Sequence, residues 1–70
     1  MTGRQIADDL DARIRSGEYR VGEQLLFADL TTLYQTSRAT IQRAMSLLED
    51  RGLVEYQPGR GRYVREDHPV

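Results

Sequence analysis

Ser37–Arg51, SRATIQRAMSLLEDR, carries the three signals that decide the fold: a helix start, one apolar stripe and a separate cationic face. The Ser37 hydroxyl can accept from the first free backbone N–H groups of a helix. Ile41, Ala44, Met45 and Leu48 then recur at the i, i+3, i+4, i+7 spacing of a buried face, and Gly52 stops the helix. At about 100° per residue, with Ile41 at the centre of the buried face, Ala39, Arg43 and Ser46 fall on the opposite side, flanked by Thr40 and Gln42. A helix that shows solvent short, polar and basic side chains in its first two turns, and keeps Glu49 and Asp50 for its last, suits a negatively charged groove. Double-stranded DNA is the partner this pattern favours.

Toward the N-terminus, Gln35-Thr36 leaves room only for a tight turn. Before it, Phe27, Leu30, Leu33 and Tyr34 have helical spacing over two turns, too short a helix to be stable alone. Two helices joined at so short a corner give helix-turn-helix geometry. Leu25 is expected to open a very short strand, and Glu18–Gln24 to be a connector with Tyr19 and Val21 turned inward and a bend at Gly22. Thr2 and Gln5 match a capping box. The helix they open has the stripe Ile6, Ala7, Leu10 and Ile14 and ends at Ser16-Gly17. Asp9–Arg13 and Asp11–Arg15 stand four apart in the favourable acid-first order, each pair worth a few tenths of a kcal/mol. Asp8, Asp9 and Asp11 are expected to form a solvated helix face rather than a metal site.

Beyond Gly52 the period changes from helical to extended. Leu53–Gln57 is rich in β-formers, with Val54 and Tyr56 expected inward; Pro58-Gly59-Arg60-Gly61 is a turn signal, and Arg62–Arg65 is the returning strand. The fold class is therefore mainly α with a small β-hairpin (α+β): a winged helix-turn-helix of three helices followed by a two-stranded wing. It spans residues 1–65, with 66–70 a tail or the start of a linker.

Seventy residues make one small domain, near the lower limit for a core without disulfides or metals. The absence of Cys excludes a disulfide framework and thiolate metal sites and agrees with a cytoplasmic location. No membrane span or cofactor motif is visible, since the longest apolar runs are only a few residues. The net charge of −1 is unpromising for a nucleic-acid binder, but it averages two unlike halves. From Ser37 to Arg65 six arginines face three acids, whereas residues 1–36 carry four arginines against six acids. The basic half contains the outward-facing helix.

Ile6–Gly22 (IADDLDARIRSGEYRVG), Leu30–Leu48 around Ser37-Arg38-Ala39-Thr40, Glu49–Val54 (EDRGLV) and Gly59–Val64 (GRGRYV) together resemble the N-terminal DNA-binding domain of GntR-family bacterial transcription regulators. The resemblance covers nearly the whole chain, with its pieces in the family's order. It implies a recognition helix, 38–51, in the major groove and a wing, 58–61, near the adjacent minor groove. It also implies contacts to phosphates and base edges from Ser37, Arg38 and Thr40, which match the family's Ser/Thr-Arg-x-Thr pattern, and wing glycines at Gly59 and Gly61. Family members carry a C-terminal effector-binding, dimerising domain, so the resemblance implies a homodimeric regulator in full length. Two departures stand out. Where the family usually has Leu-Pro-Ser-Glu-Arg, this chain has Leu25-Leu26-Phe27-Ala28-Asp29, one residue shorter and without Pro or Arg. Where many members place Arg two residues after the Thr, it has Gln42 followed by Arg43, so operator preference should differ.

The residue chemistry leads to the same expectations. The N-terminus of a helix offers free N–H groups and partial positive charge to phosphate, and Ser37 and Arg38 add donors there. The Arg43 fork fits guanine O6 and N7, Gln42 fits adenine N6 and N7, and the methyl groups of Ala39 or Thr40 fit thymine. Against this, Arg43 and Gln42 could be ordinary solvated side chains. Arg60, with Arg62 beside it, either enters a narrow minor groove or points into solvent. Tyr56 and Tyr63 are expected to pack rather than stack on bases. A protein-interaction module is the rival reading, disfavoured because the outward helix face lacks an aromatic or Met anchor. An enzyme is not expected, since the chain has no Cys, one tail His and no paired carboxylates outside helix faces. Nearly all the large hydrophobes are assigned to the core, leaving none for a dimer seam, which predicts that this chain alone is a monomer that binds DNA weakly.

Overall fold

The computed structural model describes residues 1–65; the expected tail at 66–70 lies outside the described residues. The chain runs α1 (Gly3–Arg15), β1 (Gln24–Leu25), α2 (Phe27–Tyr34), α3 (Arg38–Asp50), β2 (Val54–Gln57) and β3 (Gly61–Val64). The Thr2–Gln5 capping box forms, with the Thr2 N–H donating to Gln5 Oε1 at 2.8 Å and the Gln5 N–H donating to Thr2 Oγ1 at 3.2 Å. Ser37 caps α3 by accepting from the Thr40 N–H at 3.2 Å. At the other end, the Gly52 and Leu53 N–H groups fold back onto the Glu49 and Leu48 carbonyls while Gly52 takes φ +77°, a conformation open to glycine at little cost. The corner between α2 and α3 is made by Gln35, whose φ of +50° puts it in the left-handed region.

Both helical stripes are buried as expected. Ile6, Ala7, Leu10 and Ile14 of α1 and Ile41, Ala44, Met45 and Leu48 of α3 share one core with Leu25, Leu30, Leu53, Val54 and Val64. No polar side chain is buried among the described residues. In the sheet the order is β1-β3-β2, all antiparallel, with Gln24 opposite Tyr63, Leu25 opposite Arg62 and Tyr56 opposite Arg62. The expected two-stranded wing is therefore extended by β1 into a three-stranded sheet with β3 in the middle. Pairing with β1 fixes the wing to the connector that precedes α2.

Four expectations about packing change. Val21 is 57% exposed, because the Gly22 N–H donates to the Val64 carbonyl and the Val64 N–H to the Glu23 carbonyl, which lays the connector along β3 with Val21 outside. Leu33 is 48% exposed, since α2 turns its Leu30–Tyr34 side inward. Tyr56 is 51% exposed; it lies about 7 Å farther along the strand than Val54, past the end of the core, and its ring meets the Arg62 guanidinium 5.0 Å away. The acids of α1 are not a merely solvated face. Asp8 and Asp11 each accept from Arg51 at the end of α3, at 2.8 and 2.9 Å, and Asp11 also pairs with Arg15. Asp9 accepts from the Tyr34 hydroxyl at 2.6 Å and from Arg13 at 2.9 Å, tying α1 to α2.

These bonds make stability depend on pH in a defined direction. The Tyr34 hydroxyl, with help from Arg13, holds the Asp9 carboxyl below its ordinary value against a smaller burial effect. At Asp11 burial pushes upward, but the hydrogen bonds from Arg15 and Arg51 outweigh it and the carboxyl is again lowered. A carboxyl lowered on folding contributes fully above its unfolded value and loses that contribution as pH falls through the folded one. Urea midpoints should therefore hold steady down to about pH 4 and drop below it. Tyr34→Phe should flatten the Asp9 part of that drop, and an unchanged acid limb in this variant would show that the Tyr34–Asp9 bond does not act on stability.

Candidate nucleic-acid interface

The first two turns of α3 form a ridge. Ala39, Gln42, Arg43 and Ser46 are exposed along it, Thr40 is half-buried, and Ser37 and Arg38 stand at its open N-terminal end. Ala39 borders a cleft on each side of the ridge. One, of about 530 Å³, runs between α3 and the base of the wing, bordered by Arg38 and Gln42 of α3, Leu26 and Phe27 at the start of α2, and Gln24, Gly61 and Arg62 of the sheet. The other, of about 230 Å³, lies between α3 and the N-terminus of α1, bordered by Thr40, Arg43, Thr2 and Gly3.

Each flank of the ridge is supported by another element of the fold. Gly3 is buried beside Arg43, and a Cβ there would stand 3.0 Å from the Arg43 Cγ and Cδ atoms. Glycine thus lets α1 approach close enough to support the aliphatic stem of Arg43 while the helix cap stays intact. On the other side the Arg38 guanidinium lies 4.6 Å from the centre of the Phe27 ring. Among the described residues Gln42 makes a long contact, 3.4 Å from its amide to Ser46 Oγ.

At the wing tip Gly59 and Gly61 adopt φ of +79° and +99°, and the Arg60 N–H closes the turn onto the Gln57 carbonyl at 2.9 Å. The Arg60 carbonyl accepts from the Gln24 amide at 2.7 Å and from the Tyr63 hydroxyl at 3.1 Å. Its side chain remains exposed. Tyr63 therefore braces the turn, in keeping with the packing role expected for it. Arg62 sits differently from its neighbour. Its side chain is only 15% exposed and donates to Glu49 at 2.6 Å, which turns it toward the body of the protein.

The arginines divide into two groups. Arg13, Arg15, Arg51 and Arg62 are bound to acids, whereas Arg38, Arg43 and Arg60 enter none of the ion pairs among the described residues. Arg4 of α1 and Arg20 of the connector likewise enter none of these ion pairs; Arg38 and Arg43 lie on α3 and Arg60 at the wing tip. Sequence reasoning found these positions but missed Gly3, Gln24 and Phe27, which join the site from elements distant in sequence. A helix-opening glycine was the one local signal.

Residues 2–64 match the family model described as bacterial regulatory proteins, gntR family. The chain belongs to that family. It is 40% identical over 68 residues to an uncharacterised HTH-type transcriptional regulator of Streptomyces coelicolor, covering 96% of this chain and 25% of the relative. It is 35% identical over 65 residues to the mannosyl-D-glycerate transport/metabolism system repressor of Escherichia coli, covering 91% and 27%. This gntR chain thus spans about a quarter of those relatives' length. Its fold superposes on a GntR regulator structure from Rhodococcus with a TM-score of 0.88 at 30% identity, covering 90% of this chain and 30% of that one. The fold also matches the DNA-binding domain of AraR, solved in complex with operator ORR3, with a TM-score of 0.79 at 24% identity, covering 89% and 76%. These structures share the winged helix-turn-helix architecture described above.

The wing turn gives a direct test of its bracing. Gly61→Ala would add a Cβ at φ +99° and 3.0 Å from the Gln24 amide nitrogen, so it should destabilise the chain by more than about 1 kcal/mol. A thermal melt unchanged from wild type would mean that the turn relaxes freely and that Gln24 does not fix it.

Proposed function

We propose that residues 1–65 act as one sequence-specific module for double-stranded DNA in a bacterial transcription regulator, with α3 in the major groove and the wing beside the minor groove. The observation that carries this reading is the exposed α3 ridge, whose Arg38 and Arg43, like Arg60 at the wing tip, enter no ion pair among the described residues. The arginines bound to acids, Arg13, Arg15, Arg51 and Arg62, lie off that ridge. The α3 ridge between two clefts has the shape needed to enter a groove while the flanking strands of phosphate pass on either side. Ser37, Arg38 and Thr40 contact phosphate at the helix N-terminus, as do the backbone groups at Gly59 and Gly61. Arg43, Gln42 and Ala39 read base edges, and Arg60 approaches the minor groove. Arg62, held by Glu49, positions the base of the wing and makes no base contact.

The relatives named as regulators support a soluble, cytoplasmic role and no catalytic one. Among the described residues, no helix is long and apolar enough to cross a membrane. A homodimer joined through a further domain would place two such modules on two half-sites, raising affinity through effective concentration by roughly 10²–10⁴-fold. For the isolated chain the monomer expectation lost one support, since Val21, Leu26, Leu33 and Tyr56 are about half exposed rather than spent in the core. They are scattered over the connector, α2 and β2, and we retain the monomer. Sedimentation should show a single 70-residue unit with a dissociation constant for DNA of about 10⁻⁴ to 10⁻⁶ M at physiological salt. A micromolar dimer would show that these side chains form a seam.

On a duplex selected from random sequences, Arg43→Ala should cost about 1–3 kcal/mol and broaden preference at one base pair. Arg38→Ala should weaken all sequences evenly and reduce the steepness of the salt dependence. Equal affinity of wild type and Arg43→Ala for the selected duplex would remove Arg43 from the reading set. Binding that does not fall with salt would favour the protein-interaction module instead.

A further inference from the structure

Phe27 opens α2 at a position where the chain departs from the family's polar Ser-Glu-Arg run, and its ring does something a small polar residue there could not. The Arg38 guanidinium lies 4.6 Å from the ring centre and that of Arg62 lies 5.2 Å from it. Arg62 is in turn bound to Glu49 at 2.6 Å and lies 5.0 Å from the Tyr56 ring. One aromatic side chain thus links the start of α2, the first residue of α3 and the wing strand β3, along the border of the larger cleft.

The two cations sharing this ring are held in different ways. Glu49 offsets the charge of Arg62 and occupies its Nε–H. Arg38 enters no ion pair among the described residues, so the ring face is what orients it. A carboxylate would have fixed Arg38 more firmly, but it would have used the guanidinium donors and cancelled the charge that phosphate requires. An aromatic face attracts the cation through its quadrupole and leaves the N–H fork free in the plane of the guanidinium.

We propose that Phe27 is the positioning residue for Arg38: its ring holds the guanidinium at the mouth of the cleft in a phosphate-ready orientation without consuming a hydrogen-bond donor. This rests on the DNA-binding reading above, and deepens it by naming what prepares one of its contacts. Ordering a free arginine on DNA costs side-chain entropy, and a ring that orders it beforehand reduces that cost.

The test pairs binding to a short random-sequence duplex with proton NMR of the free chain. In wild type the Arg38 side-chain protons should show an upfield ring-current shift that disappears in Phe27→Leu and persists in Phe27→Tyr. Phe27→Leu, which keeps apolar bulk, should weaken binding by about 2- to 10-fold, the range of a cation–π contact, while Phe27→Tyr stays near wild type. In an Arg38→Ala background, Phe27→Leu should have no further effect. An equal loss in both backgrounds would show that Phe27 acts through the fold or by its own contact, and would overturn the proposal, as would a wild type without the shift. Should Arg38→Ala cost no affinity while the shift is present, the assignment of Arg38 to DNA falls, and the functional part of this proposal with it.

Discussion

One helix has to serve two surfaces, and the rest of the structure follows from that demand. The 3.6-residue period sends Ile41, Ala44, Met45 and Leu48 of α3 into the core, where each is fully buried, and so sends Ala39, Gln42, Arg43 and Ser46 outward. Neither face can be adjusted without turning the other. The α1 stripe covers most of the buried side, and α2 and the sheet close what remains. In a chain this short, burial on one face must stabilise the fold while the opposite face stays bare, so everything else is packed behind or beside α3.

Electrostatics enforces the same separation. The chain has ten arginines and eleven acids, and its overall charge gives no sign of an affinity for DNA. What matters is where the acids stand. Asp8 and Asp11 take up Arg51 at the far end of α3, Asp9 and Glu18 take up Arg13, and Glu49 takes up Arg62. Most of these pairs are partly exposed and each adds little to stability. Their larger consequence is spatial, because every acid used at the back or flank of the molecule is absent from the α3 ridge. Local potential near the unpaired Arg38, Arg43 and Arg60 is then set by those residues and by the positive end of the helix, not by the chain average.

The sequence made the helices legible because their signals are local. Thr2 with Gln5, Ser37, Gly52 and two clean apolar stripes are read within a turn or two of each element, and all appear in the structure where expected. Two-residue β1 was visible at Leu25, but its partner was not, since antiparallel pairing of Gln24 with Tyr63 joins positions 39 residues apart. The exposures of Val21, Leu33 and Tyr56 were misjudged for a related reason. Period alone says which residues share a face, but which face meets the core depends on long-range bonds such as Gly22 to Val64 and Tyr34 to Asp9. The candidate site divides in the same way. Its donors on α3 and at the wing tip were legible, whereas Gly3, Gln24 and Phe27, which hold those donors in place, came from tertiary neighbours.

Those three supports share a feature that bears on how a small recognition surface is kept ready. Gly3 lets the stem of Arg43 rest on α1, the Phe27 ring faces the Arg38 guanidinium, and the Gln24 amide grips the carbonyl, not the side chain, of Arg60. In each case the arginine is restrained through carbon atoms, a ring face or backbone, and its N–H donors are left unspent. An ion pair would restrain the same residue while removing the charge and the donors that a phosphate or base edge would need. The acid-bound Arg51 and Arg62 show that the chain uses ion pairs freely where an arginine has a structural task. Support through apolar atoms, a ring face or backbone thus leaves the donors of Arg38, Arg43 and Arg60 open to a partner of the kind proposed above.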